Sequence, residues 1–282
     1  MSVIAIVGAG TLGGTLAHTI AARDLCTQLR LIDDARNIAA GKALDIMQAG
    51  PIERFRARLV ADSGSAATVG ADAVILTGPA SSPNSEWDDN SGFVQLRQVA
   101  DANRRAVLIC AGAKHSDLVE RGVRDAGIDR RRLLGSAPEA YRAAVRTIVA
   151  LEVGCPASAV SLTLLGRLPH QGVVLWSQAS VNGELLEERI SATRMAHLRD
   201  KVVNVWPPGP QALAAAATRV ASCIASGNGR QTCCFVVVDG ELGVRRRAMA
   251  VPVELNALGV TRIIEPSLNA RERGLLEAAR VD

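Results

Sequence analysis

A chain of 282 residues, 48% of them hydrophobic and 21% charged, has the length and apolar content for one large or two modest folded domains. The formal charge of +4 is mild, and the basic triplets Arg130–Arg132 and Arg245–Arg247 have no interleaved aromatics, so no nucleic-acid partner is expected. No apolar run reaches membrane-spanning length and a strand-like run begins almost at once. The sequence therefore implies no signal peptide, no membrane partner and a cytoplasmic location.

Residues 3–7 form an apolar run with the β-branched content of a strand buried on both faces. Gly8-Ala9-Gly10-Thr11-Leu12-Gly13 follows, then a helical pattern over Thr11–Arg23 and a second strand-like run over 28–33 that ends in Asp33. Strand, glycine-rich turn, helix, strand and acid in that order make a dinucleotide fingerprint. Gly8 allows a tight turn, Gly10 allows close backbone approach to a pyrophosphate, and Gly13 lets the helix lie against the sheet. The free amides and dipole at the helix start favour phosphate. Asp33, 20 residues after Gly13, is placed to accept from ribose hydroxyls and to repel a 2′-phosphate, which favours NAD over NADP; Asp34 adds to that sign.

Further strand-like runs at 57–61, 73–77, 106–110 and 132–134 alternate with helical patterns, including 93–103 and 118–125. That alternation predicts an α/β chain with a Rossmann-type, doubly wound parallel sheet. Past residue 136 the character changes. A helix over 138–152 leads into β-rich runs at 159–165 and 173–176, helices near 186–202 and 210–226, strands at 231–238, 248–253 and 261–264, and a closing helix at 269–279. Two domains are expected, 1–136 holding the dinucleotide and 137–282 with a different, mixed architecture. Aromatics are only 2%, so Leu, Val, Ile and Ala must fill the interior. The six cysteines and four histidines show no metal-ligand spacing, so reduced buried thiols and no metal are expected.

Over nearly its whole length the chain resembles the malate/lactate dehydrogenase family. The residues that carry the likeness are Gly8–Gly13, Gly41-Lys42-Ala43-Leu44-Asp45-Ile46, Leu76-Thr77-Gly78, Gly240-Glu241-Leu242-Gly243, Val251-Pro252-Val253 and Gly259–Glu265. The resemblance implies an α+β C-terminal domain after the Rossmann domain and NAD as cofactor. It implies contacts to that cofactor from Gly8, Ala9, Gly10, Thr11, Leu12, Gly13, Asp33, Thr77 and Gly78. A homodimer or homotetramer is also implied, with surfaces on the helix after Asp33 and on the helix after residue 210, where Ala214–Ala217 are small enough for close packing.

The family's chemistry needs a histidine, an aspartate that orients it, and arginines that clamp a carboxylate and polarise a carbonyl. In ungapped register the mobile loop reads Ser81–Asp89, with Ser81 and Trp87 at its arginine positions; Ala111 stands for an asparagine, Tyr141 for the aspartate, Ala144 for an arginine and Leu168 for the histidine. Those six substitutions remove the functional groups. The stretches from Asn90 to the strand at 106 and from Asn182 to Gly209 are each shorter than the family's by about two helical turns. The resemblance therefore predicts a member without 2-hydroxy-acid dehydrogenase catalysis, a sensor or silent subunit that binds NAD(H). The rival readings are an active oxidoreductase with a displaced site of Glu139, Arg142 and His170, or one with an atypical substrate, and a scaffold without nucleotide. His115 near Asp117 reads as a polar residue at a helix start, and Arg167 as a cation beside the missing histidine.

Overall fold

The computed structural model describes residues 3–227, 229 and 231–278. The first half alternates strands with helices: β1 (Val3–Val7), α1 (Thr11–Ala22), β2 (Gln28–Ile32), α2 (Arg36–Glu53), β3 (Arg58–Asp62), β4 (Ala73–Leu76), α3 (Asp89–Ala102), β5 (Val107–Cys110), α4 (Ser116–Arg124) and β6 (Leu133–Gly135). These strands pair in parallel in the order β3-β2-β1-β4-β5-β6, the doubly wound Rossmann arrangement. The order reverses between β1 and β4, so a crevice opens beyond their carboxyl ends, bounded by Gly8 on one side and Thr77 on the other.

The second half contains α5 (Ala137–Val153), β7 (Val160–Ser161), β8 (Leu164–Arg167), β9 (Gln171–Val174), β10 (Ser180–Val181), β11 (Glu184–Leu185), α6 (Leu186–Arg189), α7 (Ala192–Val203), α8 (Pro210–Ser226), β12 (Gln231–Asp239), β13 (Arg245–Asn256), β14 (Gly259–Ile263) and α9 (Ala270–Ala278). β12 joins the first sheet by antiparallel pairing of Phe235 with Gly135, and β13, β8 and β9 extend it. A separate small sheet runs β11-β10-β7.

The expected elements are present, with differences at their edges. The run expected at 159–165 divides, because β7 pairs with β10 while β8 pairs with β13. The helix expected over 186–202 breaks at Ile190, and Ser191 caps the new start by accepting from Arg194 N at 3.4 Å. The helix expected from 93 begins at Asp89. Ala279, the last residue of the expected closing helix, lies outside the described residues.

Aliphatic side chains fill the interior. β1, β4 and β5 are buried almost throughout, and α1 seats Leu12, Leu16 and Ile20 against them at helical spacing. Phe235, fully buried, fills the junction of the two halves, where a Cβ at Gly135 would lie 3.0 Å from its ring. The cysteines form no disulfides among the described residues and are all buried except the partly exposed Cys155, and desolvation raises Cys110 to about 12. Among the described residues no helix is long and apolar enough to cross a membrane, and no group of His, Cys, Asp and Glu is placed to hold a metal ion.

Candidate functional site

The crevice at the β1/β4 reversal is built from the predicted fingerprint. Gly8 has φ +105°, and a Cβ on it would lie 2.4 Å from the Gly78 carbonyl oxygen, so only glycine makes this turn. Gly13 is fixed by packing, since its Cβ would fall 2.0 Å from the Gly8 oxygen. Thr77 donates its hydroxyl to the carbonyls of Val7 and Gly8, tying β4 to the turn. Lys42, reached from α2, donates Nζ to the Ala9 and Gly10 carbonyls at 2.6 and 3.1 Å. Partial burial lowers its pKa, opposed by the charge of Asp33. Its place in the Gly41–Ile46 motif was the only signal for this role.

The fingerprint's donors and its acid are already engaged, and here the expected geometry needs correction. The Gly10 amide donates to the Gly78 oxygen at 3.0 Å and the Thr11 amide to the Pro83 oxygen at 2.7 Å, so these amides do not stand open to phosphate. Thr11 Oγ1 donates to Asn84 Oδ1 at 3.0 Å. Asp33 is buried; Oδ2 accepts from Ala9 N and Ala80 N, both at 2.8 Å, and Oδ1 accepts from Ala35 N at 2.9 Å. No ribose hydroxyl can replace those donors while they remain in place. The segment 79–87 thus lies in the crevice, and the space left beside Gly8, Asp33 and Trp87 is about 10 Å³, roughly room for a single water molecule. A dinucleotide needs a site of several hundred Å³. The residue types suit NAD, and the loop as placed fills the crevice beside them.

The far end of the loop is pinned by Glu86, whose carboxylate accepts from Ala113 N at 2.8 Å and Lys114 N at 2.9 Å, just before α4. His115 precedes α4, fully buried, with Nδ1 accepting from Gly112 N at 3.0 Å. Desolvation lowers its pKa to about 4, although Glu86 and Asp88 oppose the shift. Trp87 Nε1 and His115 Nε2 are buried, and among the described residues neither has a hydrogen-bond partner at ordinary geometry, although the Trp87 backbone lies close enough to His115 to favour its protonated form.

The catalytic positions implied by the resemblance hold inert or engaged side chains. Ser81 is exposed on the loop, and Ala111 is fully buried. Tyr141 donates its hydroxyl to the Val202 carbonyl at 3.3 Å and meets Trp206 edge-on, with ring centroids 5.8 Å apart. Burial raises its pKa. Leu168 is buried against Gly172.

The displaced trio is not assembled. Glu139 and Arg142 do pair, Nη2 to Oε1 at 2.7 Å and Nε to Oε2 at 3.0 Å. Glu139 also takes Arg219 Nε at 3.0 Å and, from β12, the Cys233 amide at 3.0 Å and the Thr232 hydroxyl at 3.2 Å. Its oxygens are therefore occupied by partners other than His170. His170 is exposed and lines a different cavity of about 410 Å³, with Ser116, Glu120, Arg167 and Arg247. Glu120 bonds Arg247 Nη1 and the Ala248 amide there.

Residues 2–86 match the family model described as the lactate/malate dehydrogenase NAD binding domain, and NAD is the cofactor of that domain. A malate dehydrogenase from Desulforudis audaxviator is 31% identical over 97% of this chain and 94% of its own length. One from Roseiflexus sp. is 28% identical over 97% and 94%. Among solved structures, lactate dehydrogenase from Cryptosporidium parvum, complexed with lactic acid and β-nicotinamide adenine dinucleotide, is similar at TM-score 0.88 and 25% identity, covering 99% of this chain and 94% of that one. Malate dehydrogenase from Aeropyrum pernix shares the fold at TM-score 0.90 and 20% identity, over 98% and 95%. With its fingerprint, its sheet order and this likeness along nearly its full length, the chain belongs to the malate/lactate dehydrogenase family.

Proposed function

We propose that this protein is a non-catalytic member of its family, one that holds NAD(H) as a sensor or silent subunit and does not oxidise 2-hydroxy acids. The observation that carries the reading is the set Ser81, Trp87, Ala111, Tyr141, Ala144 and Leu168. Hydride transfer from an alcohol requires a base for the hydroxyl proton, and a carboxylate substrate requires a fixed cation. Tyr141, the titratable member of the set, is buried, bonded to a backbone carbonyl and shifted away from acting as a base at neutral pH. Glu139, Arg142 and His170 offer no substitute, since Glu139 serves Arg142, Arg219 and β12 instead of a histidine.

The test is turnover of malate, oxaloacetate, lactate and pyruvate by the purified chain with NAD(H), alongside NADH titration followed by fluorescence. The expected result is saturable NADH binding with no reduction of either keto acid. Brisk, saturable reduction would overturn the reading, and an absence of NADH binding would favour a scaffold without nucleotide.

We further propose that the domain division lies after residue 136, where α5 begins at Ala137, and that the chain is a homodimer or homotetramer. α2 leaves Ala40, Leu44 and Met47 exposed at helical spacing, and α8 lines an open groove of about 400 Å³ with Ala212, Ala215 and Ala216. Light scattering on the purified protein should report two or four times the chain mass, and Leu44→Glu should reduce it.

A further inference from the structure

We propose that segment 79–87 is the resident occupant of the dinucleotide crevice, and that NAD binds only by expelling it. This rests on the reading that the crevice is an NAD site, and it adds an internal competitor to that site. The segment reproduces what a pyrophosphate would do. Its Pro83 carbonyl takes the Thr11 amide at 2.7 Å, and the Gly78 carbonyl, immediately before the segment, takes the Gly10 amide at 3.0 Å; both are donors that a helix start presents to an anion. A Cβ at Gly10 would lie 2.9 Å from the Pro83 oxygen, 3.0 Å from that of Gly78 and 3.1 Å from that of Pro79, so the loop uses the close approach that this glycine permits.

The loop also takes the acid, because Ala80 N occupies Asp33 Oδ2 where a ribose hydroxyl would bond. Its seat is closed at both ends. Asn84 Oδ1 receives the Thr11 hydroxyl, Trp87 N donates to Thr77 O at 3.0 Å, and Glu86 caps the amides before α4. Asp33 Oδ2 and the Gly10 and Thr11 amides cannot serve the loop and the dinucleotide together. Closure and NAD binding are therefore alternatives, and the apparent affinity for NAD scales with the open fraction.

Two variants loosen the closed loop, one at its root and one at its anchors. A Cβ at Gly78 would lie 2.0 Å from the Ser85 oxygen and 3.0 Å from the Glu86 Cα, both parts of the seated loop. Gly78→Ala therefore wedges the loop outward, and Asn84→Ala with Glu86→Ala releases its anchors independently. The experiment measures hydrogen exchange of the Gly10 and Thr11 amides in the ligand-free full chain, together with NADH titration of the wild type and both variants. Both amides should be protected in the wild type and exchange faster in the variants, and at least one variant should bind NADH roughly tenfold more tightly. Unprotected amides in the free wild-type chain would overturn the proposal, as would equal NADH affinity in all three proteins. Protected amides with no NADH binding by any of the three would retain the loop as occupant and defeat its competition with NAD. That last outcome identifies a failure of the NAD-site reading itself.

Discussion

Removing the Glu139 carboxylate should unfold the protein far more readily than the loss of an ordinary acid in the first turn of a helix would suggest. The side chain is 6% exposed and its partner Arg142 21%. Glu139→Ala leaves the Arg142 guanidinium partly buried without its bidentate partner, and it strips the Cys233 amide and the Thr232 hydroxyl of an acceptor. Breaking such a buried pair costs about 3–5 kcal/mol. Arg219, 47% exposed, adds at most about 1 kcal/mol to that. With a urea m-value of roughly 3 kcal/mol/M for a chain of this size, the midpoint should fall by about 1 M or more. Glu139→Gln keeps one acceptor oxygen and should lose about 1–3 kcal/mol. The assay is urea unfolding followed by far-ultraviolet circular dichroism at pH 7, with Arg142→Met and the double variant closing the cycle. An unchanged midpoint in Glu139→Ala would refute a structural role. If that variant also abolished a measurable turnover, the displaced trio would have to be revived.

Other consequences can be tested on the same footing. His115 titrates near 4 when folded and near 6.5 when unfolded, so the unfolded chain binds more protons between those values. Its contribution is complete above pH 6.5 and is lost as pH falls toward 4, in total about 3 kcal/mol. A urea midpoint series over that window should show the slope in the wild type and a flatter one in His115→Gln. Gly13→Ala puts a Cβ 2.0 Å from a backbone oxygen and should cost about 3 kcal/mol, read as a lowered thermal midpoint. Asp33→Asn leaves one acceptor oxygen where Ala9, Ala35 and Ala80 all donate; a loss of about 2 kcal/mol with faster exchange of the Ala80 amide is expected. Tyr141→Phe removes only the bond to Val202 and should cost about 1 kcal/mol while leaving the edge contact with Trp206.

The fold was legible because its signals are local and repeated. Each strand of the first half is a short apolar run between helical patterns, and the glycines at 8 and 13 occupy the positions where the structure leaves no room for a side chain. What escaped the sequence depends on contacts between segments distant along the chain. Asp33 and Ala80 meet across 47 residues, and Glu139 and Cys233 across 94. Periodicity carries no information about such pairings. The displaced trio looked plausible because an acid three residues before an arginine suits either a catalytic pair or an i,i+3 ion pair, and only the position of β12 distinguishes them. The division of the 159–165 run was hidden for a similar reason: β7 and β8 choose different partners, β10 and β13.

The crevice shows why a nucleotide fingerprint and an open nucleotide site are separate physical statements. Gly8 is required by its positive φ and by the Gly78 backbone, and Gly13 by the Gly8 oxygen; neither requirement involves a ligand. Asp33 is satisfied by three amides of its own chain, the Gly10 amide by the Gly78 carbonyl and the Thr11 amide by the Pro83 carbonyl of the loop. Packing alone would therefore demand the same residues at these positions. What decides between cofactor and loop is the balance between the seated segment's hydrogen bonds and those the dinucleotide would make with the same donors. That balance is set by Asn84 and Glu86, which lie outside the glycine-rich motif. Substituting them should change occupancy of the crevice while leaving the fingerprint intact.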